Sequence, residues 1–358
     1  MKIIHCADLH LDSKLNANLP VDKAKERRQE LLLTFSRLVD YAVKEGVEKI
    51  IISGDMFDTK KVLTTTKNAV LRLIKENSNI DFFYLSGNHD EDNFISSLED
   101  EIPLNLKVFT EEFKTFDFGD FTISGIKLTN DNYITFYNNV KLDQNKINIL
   151  SLHGQVSKYT VDNPDVINIT ELKNKNIDYL ALGHIHSYQK EKLDDRGVYC
   201  YSGCLEGRGF DECGIKGFSL IEIEDGKLNS TFIPFAKRTI YEIEHDITGK
   251  TWGQIIKDIK TELSLIKDTS LIKVVLTGEH DLDLEMDLFY LTSILNNDFY
   301  FVKIKDESKL KINLNDFALD PSLKGEFIRT VMSDISLSEQ EKNDIIMCGI
   351  NALNGEKL

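Results

Sequence analysis

The chain is short of cysteine, short of basic charge and free of long apolar runs, and each shortage removes a class of function. The five cysteines, Cys6, Cys200, Cys204, Cys213 and Cys348, form no Cys-x-x-Cys pair and are odd in number. Neither a disulfide framework nor a zinc knuckle is therefore indicated. No apolar segment approaches the roughly 20 residues that a membrane span requires. The N-terminus enters a charged motif at Asp8 without a signal-peptide pattern, so the expected location is cytoplasmic, with no membrane contact. Lysine and arginine number 43 against 59 aspartates and glutamates, a net charge of −16. A protein that holds nucleic acid alone usually carries a basic surface that displaces counterions, so autonomous tight DNA binding is disfavoured. A phosphodiester substrate stays open, because bound divalent cations reverse the local sign and a partner can supply basic surface. The clusters Lys23–Arg28, Lys60–Lys61 and Lys237–Arg238 read as solvated faces. There is no internal repeat and no low-complexity tract.

What is present is an ordinary globular composition, 41% hydrophobic and 28% charged over 358 residues, enough for a large domain and one or two smaller ones. One theme recurs: a short apolar strand that ends abruptly in Gly, Asp, Asn or His. Lys2–Ala7 leads into Asp8-Leu9-His10, Lys49–Ser53 into Gly54-Asp55-Met56-Phe57-Asp58, and Phe82–Ser86 into Gly87-Asn88-His89-Asp90. Ile147–Leu152 leads into His153-Gly154, and Asp178–Leu182 into Gly183-His184-Ile185-His186. Helical spacing of Leu31, Leu32, Phe35, Leu38, Val39 and Ala42, then of Ala69, Val70, Leu73 and Ile74, separates the first three strands. Runs such as Ile50-Ile51-Ile52 suit strands covered on both faces. Phe116–Ile126, and Phe218–Phe235 folded about Asp225-Gly226, read as antiparallel strands and a hairpin. The expectation is an α/β protein, a two-sheet sandwich flanked by helices, over residues 1–236. A second, smaller α/β pattern spans 237–318: strands at Ile240–Ile247, Leu271–Thr277 and Phe299–Ile304, with helices near Trp252–Leu265 and Leu284–Leu295. A helical segment fills 319–358, where Ser338-x-x-Glu341 opens a helix with the apolar stripe Ile345, Ile346, Ile350 and Leu353.

All five motifs sit at the carboxyl ends of strands, where ligands gather in open α/β sheets. Singly each is weak; together they offer the oxygens of Asp8, Asp55 and Asn88 and the imidazoles of His10, His153, His184 and His186. That set divides between two cations sharing a carboxylate. Asp55 is the natural bridge, with Asp8, His10 and one of His184 and His186 on one side, and Asn88, His153 and the other imidazole on the second. A mixed nitrogen and oxygen shell without thiolate suits Mn²⁺, Fe²⁺ or Zn²⁺, and Mn²⁺ is favoured. Two such cations make a nucleophile from water at neutral pH and neutralise charge growing on phosphorus. His89, directly after Asn88, would face substrate and stabilise the transition state or protonate the leaving oxygen, with Asp58 or Asp90 orienting its ring. His5, His245 and His280 match no motif.

The motif series D-x-H, G-D-x-x-D, G-N-H-D, a later H and G-H-x-H resembles that of the calcineurin-like metallophosphoesterase superfamily, in order and complete. The resemblance implies Asp8, His10, Asp55 and His186 at one metal, Asp55, Asn88, His153 and His184 at the other, and His89 as the catalytic histidine. Ala7-Asp8-Leu9-His10-Leu11-Asp12-Ser13, Tyr201-Ser202-Gly203, Glu206-Gly207-Arg208-Gly209-Phe210-Asp211-Glu212 and Gly214-x-Lys216-Gly217 look more narrowly like the SbcD-like group of DNA-repair exonuclease subunits, in particular its YhaO-type members. This likeness covers residues 1–235; beyond them it is one of layout. It implies a Mn²⁺-dependent nuclease acting on DNA, with 237–318 as a capping domain, and 319–358 docking on an SMC-like ATPase. Pairing of two copies as a homodimer is common in that group. Some of its nucleases carry histidine where this chain has Asp58, which places Asp58 behind His89 as an orienter. Arg208 reads equally as a phosphate holder and as an ion-pair partner of Asp211 or Glu212. Two other readings compete: a small-molecule phosphodiesterase, since a metal site does not choose its substrate, and a scaffold without turnover, against which the complete motif set argues.

Overall fold

The apolar runs become strands whose alternate side chains enter two different cores. A computed structural model describes all residues except 16–18, 59–61, 91–92, 97, 99–101, 282–283, 312–316, 318 and 354–358, and only the backbone of Asn93, Ser96, Asn351 and Leu353. The Lys60–Lys61 pair and the Leu353 side chain of the terminal stripe thus lie outside the described residues. The first sheet is built on β1 (Lys2–Cys6), β2 (Lys49–Ser53), β3 (Asp81–Leu85) and β4 (Leu106–Phe109), all parallel. The second contains β5 (Lys114–Asp117), β6 (Phe121–Gly125), β7 (Ile147–His153), β10 (Tyr179–Gly183), β11 (Gln189–Lys192) and β12 (Val198–Tyr201). Its order is β11-β12-β10-β7-β6-β5, the four central strands parallel and both edges antiparallel. Between them in sequence, Gln155–Ser157 (β8) and Val166–Asn168 (β9) form a small parallel ribbon. The hairpin β13 (Gly217–Glu224) and β14 (Lys227–Pro234) closes the first sheet beside β1, giving the order β14-β13-β1-β2-β3-β4.

Ile3, Ile51, Phe83 and Leu85 meet Ile149, Tyr179, Ala181 and Cys200 in the core between the sheets. Their sequence neighbours Ile4, Ile50, Ile52 and Phe82 face the other way, onto Leu31, Phe35, Leu38, Val39, Val70 and Ile74 of the helices α1 (Val21–Glu45) and α2 (Thr64–Glu76). Both faces of each strand are therefore dry, which is why the runs are continuous rather than alternating. The parallel arrangement also brings the carboxyl ends of β1, β2 and β3 to one edge and those of β7 and β10 to one edge of the other sheet.

The described residues fall into two compact units, Met1–Ile240 and Tyr241–Leu358. In the second, Ile255, Ile259 and Leu263 of one helix (Trp252–Leu263) and Leu291 and Leu295 of another (Leu288–Asp298) pack with Ile272, Val274, Leu276 and Val302 of a three-stranded sheet. The first of these helices starts at a capping box, Thr251 with Gln254. Helices Leu323–Ser333 and Glu339–Leu353 share a separate small core of Leu310, Ile328, Val331, Ile346 and Ile350. No helix among the described residues is long and apolar enough to cross a membrane.

Candidate metal centre

The loops after β1 and β2 run side by side and present Asp8, His10 and Asp55. Asp8 N–H donates to Gly54 O at 3.0 Å, His10 N–H to Asp55 O at 2.9 Å and Leu11 N–H to Met56 O at 2.9 Å. Asp8, His10, Asp55 and His184 have φ of 52°, 44°, 52° and 99°, values that non-glycine residues seldom adopt. Such strain survives where surrounding bonds over-determine the backbone, and it gathers at functional sites. The opposite sheet meets these loops directly: the N–H of His184 donates to both oxygens of Asp8, at 2.9 and 3.1 Å. Two glycines make the approach tolerable. A Cβ on Gly54 would lie 2.0 Å from His153 Nδ1, and one on Gly87 would lie 2.2 Å from Asp55 Oδ1.

Nitrogen and oxygen lone pairs converge without filling one another's needs. His10 Nε2 is 3.1 Å from His186 Nε2, about the separation of two neighbouring nitrogens each about 2.1 Å from one ion. His153 Nε2 is 2.9 Å from Asn88 Oδ1. Asp55 Oδ1 accepts the N–H of His89 at 2.9 Å, whereas its buried Oδ2 has no hydrogen-bond partner. That free oxygen lies 3.9 Å from His10 Nε2 and 3.5 Å from His153 Nε2. Three sets of ligand atoms come close enough to share an ion: Asp8, His10 and His186; Asp8, Asp55 and His153; and His10, Asp58 and His89.

The electrostatics call for cations. Burial and the charge of Asp55 push the carboxyl of Asp8 upward, against the pull of His153, His10 and His186. Burial works against ionisation of Asp55 too, but the imidazole of His153, 3.5 Å away, and the charge of His10 hold it well below the usual carboxylate range. His153, despite the cost of burying its charge, is raised to about 9 by Asp55, Asp8 and the Ser53 carbonyl. A site that draws a proton onto the imidazole of His153 in this way is one whose carboxylates a divalent ion would neutralise, releasing that proton. The donor set and the orphaned Asp55 oxygen fit such an ion.

Of the residues singled out from sequence, Asp8, His10, Asp55, Asn88, His153 and His186 are brought together by these contacts. His184 adjoins them through its backbone and by an edge-on ring contact with His153, centroids 5.4 Å apart. The side chain of His89 is 48% exposed, unlike the buried Asp8, His10 and Asp55, and its ring stands edge-on to that of His10, centroids 5.2 Å apart. Asp90 behaves differently from the reading that had it orient His89: its carboxylate accepts the backbone N–H groups of Met56, Phe57 and Gly87 at 3.0, 2.8 and 3.1 Å. It ties two site loops together. Asp58 lies 3.8 Å from His89 Nδ1 but only 3.0 Å from His10 Nδ1, so it stands behind His10 first. Arg208 is engaged by carboxylates, at 2.7 Å from Asp58 and 2.7 Å from Glu212.

Two partners were not legible beforehand. Glu212 sits 2.7 Å from His186 Nδ1, and the Ser53 carbonyl lies 2.9 Å from His153 Nδ1. Both fix an imidazole so that Nε2 points into the site, the usual arrangement behind metal-binding histidines. The sequence signal for Glu212 was only its place in the Glu206–Glu212 motif. His5 is a core residue, its Nδ1 2.9 Å from the Tyr179 hydroxyl, and burial holds its pKa down to about 3.

The model of the calcineurin-like phosphoesterase family matches residues 1–188, more than half of the chain. The DNA double-strand break repair protein Mre11 of Saccharolobus solfataricus is 26% identical over 375 residues, 97% of this chain and 93% of that protein. The protein of the same name from Sulfurisphaera tokodaii is 28% identical over 238 residues, 62% of this chain and 59% of its own length. Among solved structures, TT1561 of Thermus thermophilus aligns with a TM-score of 0.43 at 13% identity, over 64% of this chain and 98% of that one. By its family match, and with the motif residues gathered at one edge of the two sheets, the chain belongs to the calcineurin-like phosphoesterases, metal-dependent hydrolases of phosphate esters.

Proposed function

We propose that this chain is the nuclease subunit of a DNA-repair complex, hydrolysing phosphodiester bonds of DNA. The observation that carries the choice of substrate is the match to a protein named for double-strand break repair over 97% of this chain, which extends far beyond the phosphoesterase core. A small ester would need no second unit of this size. Two divalent cations, Mn²⁺ by preference, would sit on Asp8, His10, Asp55 and His186 and on Asp55, Asn88, His153 and His184, activating water and balancing charge on the phosphorus. Asp55 would serve both positions, since its free Oδ2 faces an imidazole of each set, His10 and His153. His89 is exposed at the rim; its ring would reach the scissile phosphate and give a proton to the departing sugar oxygen. Its position follows from its own N–H, which is committed to Asp55 Oδ1.

The net charge of −16 supports a division of labour in which an SMC-like ATPase supplies much of the DNA affinity. In that reading residues 237–318 cap the site and shape DNA access, residues 319–358 dock on the ATPase, and two copies pair as a homodimer. The test is Mn²⁺-dependent degradation of end-labelled linear duplex DNA beside an aryl phosphodiester, for wild type, His89→Ala and Asp55→Ala. Loss of DNA cleavage in both variants is expected. Turnover of the aryl ester alone, even with the ATPase present, would assign the chain to small phosphodiesters; silence on both substrates would leave a scaffold.

A further inference from the structure

The two imidazoles whose Nε2 atoms face each other at 3.1 Å are each backed by a carboxylate. Asp58 Oδ1 is 3.0 Å from His10 Nδ1 and Glu212 Oε1 is 2.7 Å from His186 Nδ1. One side chain joins those carboxylates. Arg208 donates from one terminal nitrogen to Asp58 Oδ1 at 2.7 Å, and from Nε and the other terminal nitrogen to Glu212 Oε1 at 2.9 and 2.7 Å. Its own backbone N–H donates to Glu212 Oε2 at 2.7 Å. The contacts close a ring: His10, His186, Glu212, Arg208, Asp58 and back to His10.

We infer that Arg208 is a positioning residue, a clip that holds both histidine-backing carboxylates and so pre-forms the metal position made by His10 and His186. This rests on the proposed metal centre. The side chain is only 18% exposed, and its single positive charge faces two negative ones, so the triad as a whole presents no attraction to a phosphate. Without the guanidinium the two carboxylates would repel each other, and either could swing away from its imidazole. The planar fork of arginine spans two carboxylates at fixed angles; a lysine ammonium does not. The loop before it is anchored too, since Gly207 O accepts from the buried Arg27 at 2.6 Å.

The test is titration of the full-length metal-free protein with Mn²⁺ by calorimetry, with duplex DNA binding measured across a range of salt in parallel. Wild type should take up two ions. Arg208→Met should weaken one of them by about 10–100-fold, the range for losing a group behind a metal ligand, and leave the other near its wild-type affinity. Arg208→Lys should recover little of it. Glu212→Gln should act like Arg208→Met, and the double variant should be no worse than either single one, because all three break one ring. Far-UV circular dichroism of the metal-free variants should match wild type. Unchanged Mn²⁺ binding in both Arg208→Met and Glu212→Gln, with a DNA salt slope shallower by about 1 in Arg208→Met, would overturn the inference and make Arg208 a phosphate contact. A wild-type protein that binds no divalent ion would overturn the metal centre itself, and the clip with it.

Discussion

Replacing Glu30 by glutamine should destabilise the first unit by about 3 kcal/mol at neutral pH, and that difference should vanish in acid. Glu30 is buried on α1 and accepts from Arg27 at 2.6 Å, Lys237 at 2.5 Å and Arg238 at 2.7 and 2.9 Å. Glu206 completes the cluster, accepting from Arg27 at 3.1 Å and from the backbone N–H groups of Lys237 and Arg238 at 2.8 and 3.1 Å. Burial by itself would raise the Glu30 carboxyl, but the hydrogen bonds from Arg238, Lys237 and Arg27 bring it from 4.5 down to about 2. At 1.36 kcal/mol per unit that difference is roughly 3 kcal/mol. Removing one partner from a buried ion pair costs about 3–5 kcal/mol in general, so the two routes agree. The sign follows from the depressed folded-state value: the contribution is complete above about 4.5, and is lost as pH falls from there toward about 2. Urea unfolding of wild type and Glu30→Gln, followed by far-UV circular dichroism between pH 7 and pH 3, measures it. The only tryptophan, Trp252, lies in the second unit, so its fluorescence serves as an internal control. A difference under about 1 kcal/mol at pH 7, or one that stays constant down to pH 3, would refute the assignment of this cluster as a charge-dependent anchor.

Further outcomes follow from other parts of the molecule. Gly87→Ala places a Cβ 2.2 Å from Asp55 Oδ1 and 2.7 Å from Asp55 N; phosphodiester turnover should fall about 100-fold, as displacements near 1 Å do, while circular dichroism stays that of wild type. Chelation should lower the thermal midpoint, and restoring Mn²⁺ to 100 times its dissociation constant should return about 2.7 kcal/mol for each site filled; a midpoint insensitive to metal would contradict the charge balance of Asp8 and Asp55. Thr251→Ala removes a helix cap and should cost the second unit about 1 kcal/mol, read from Trp252 fluorescence in urea.

How much of this was visible in the amino-acid order depended on whether a signal is local. The strand ends were legible because a β-branched or aromatic run that halts at Gly-Asp or Gly-Asn-His carries both the burial and the stop in a few consecutive residues. The hairpin was legible for the same reason: Asp225 and Gly226 take φ of 50° and 71°, the left-handed pair that a two-residue turn between twisted strands demands. β11 was not legible. Its residues Gln189-Lys190-Glu191-Lys192 are all exposed and show no apolar alternation, and pairing with β12 alone makes them a strand.

The site divides along the same line. Residue types at strand ends determined which side chains were available for metal chemistry, since each motif is contiguous and its place at the end of a strand follows from local pattern. Only the tertiary structure decided what stands behind them: Asp90 on three backbone N–H groups rather than on His89, Asp58 nearer to His10 than to His89, and Glu212 on His186. These choices depend on hydrogen-bond geometry good to a few tenths of an ångström between loops that lie far apart in the chain. The packing of the two sheets sets that geometry, and no short stretch of sequence contains it.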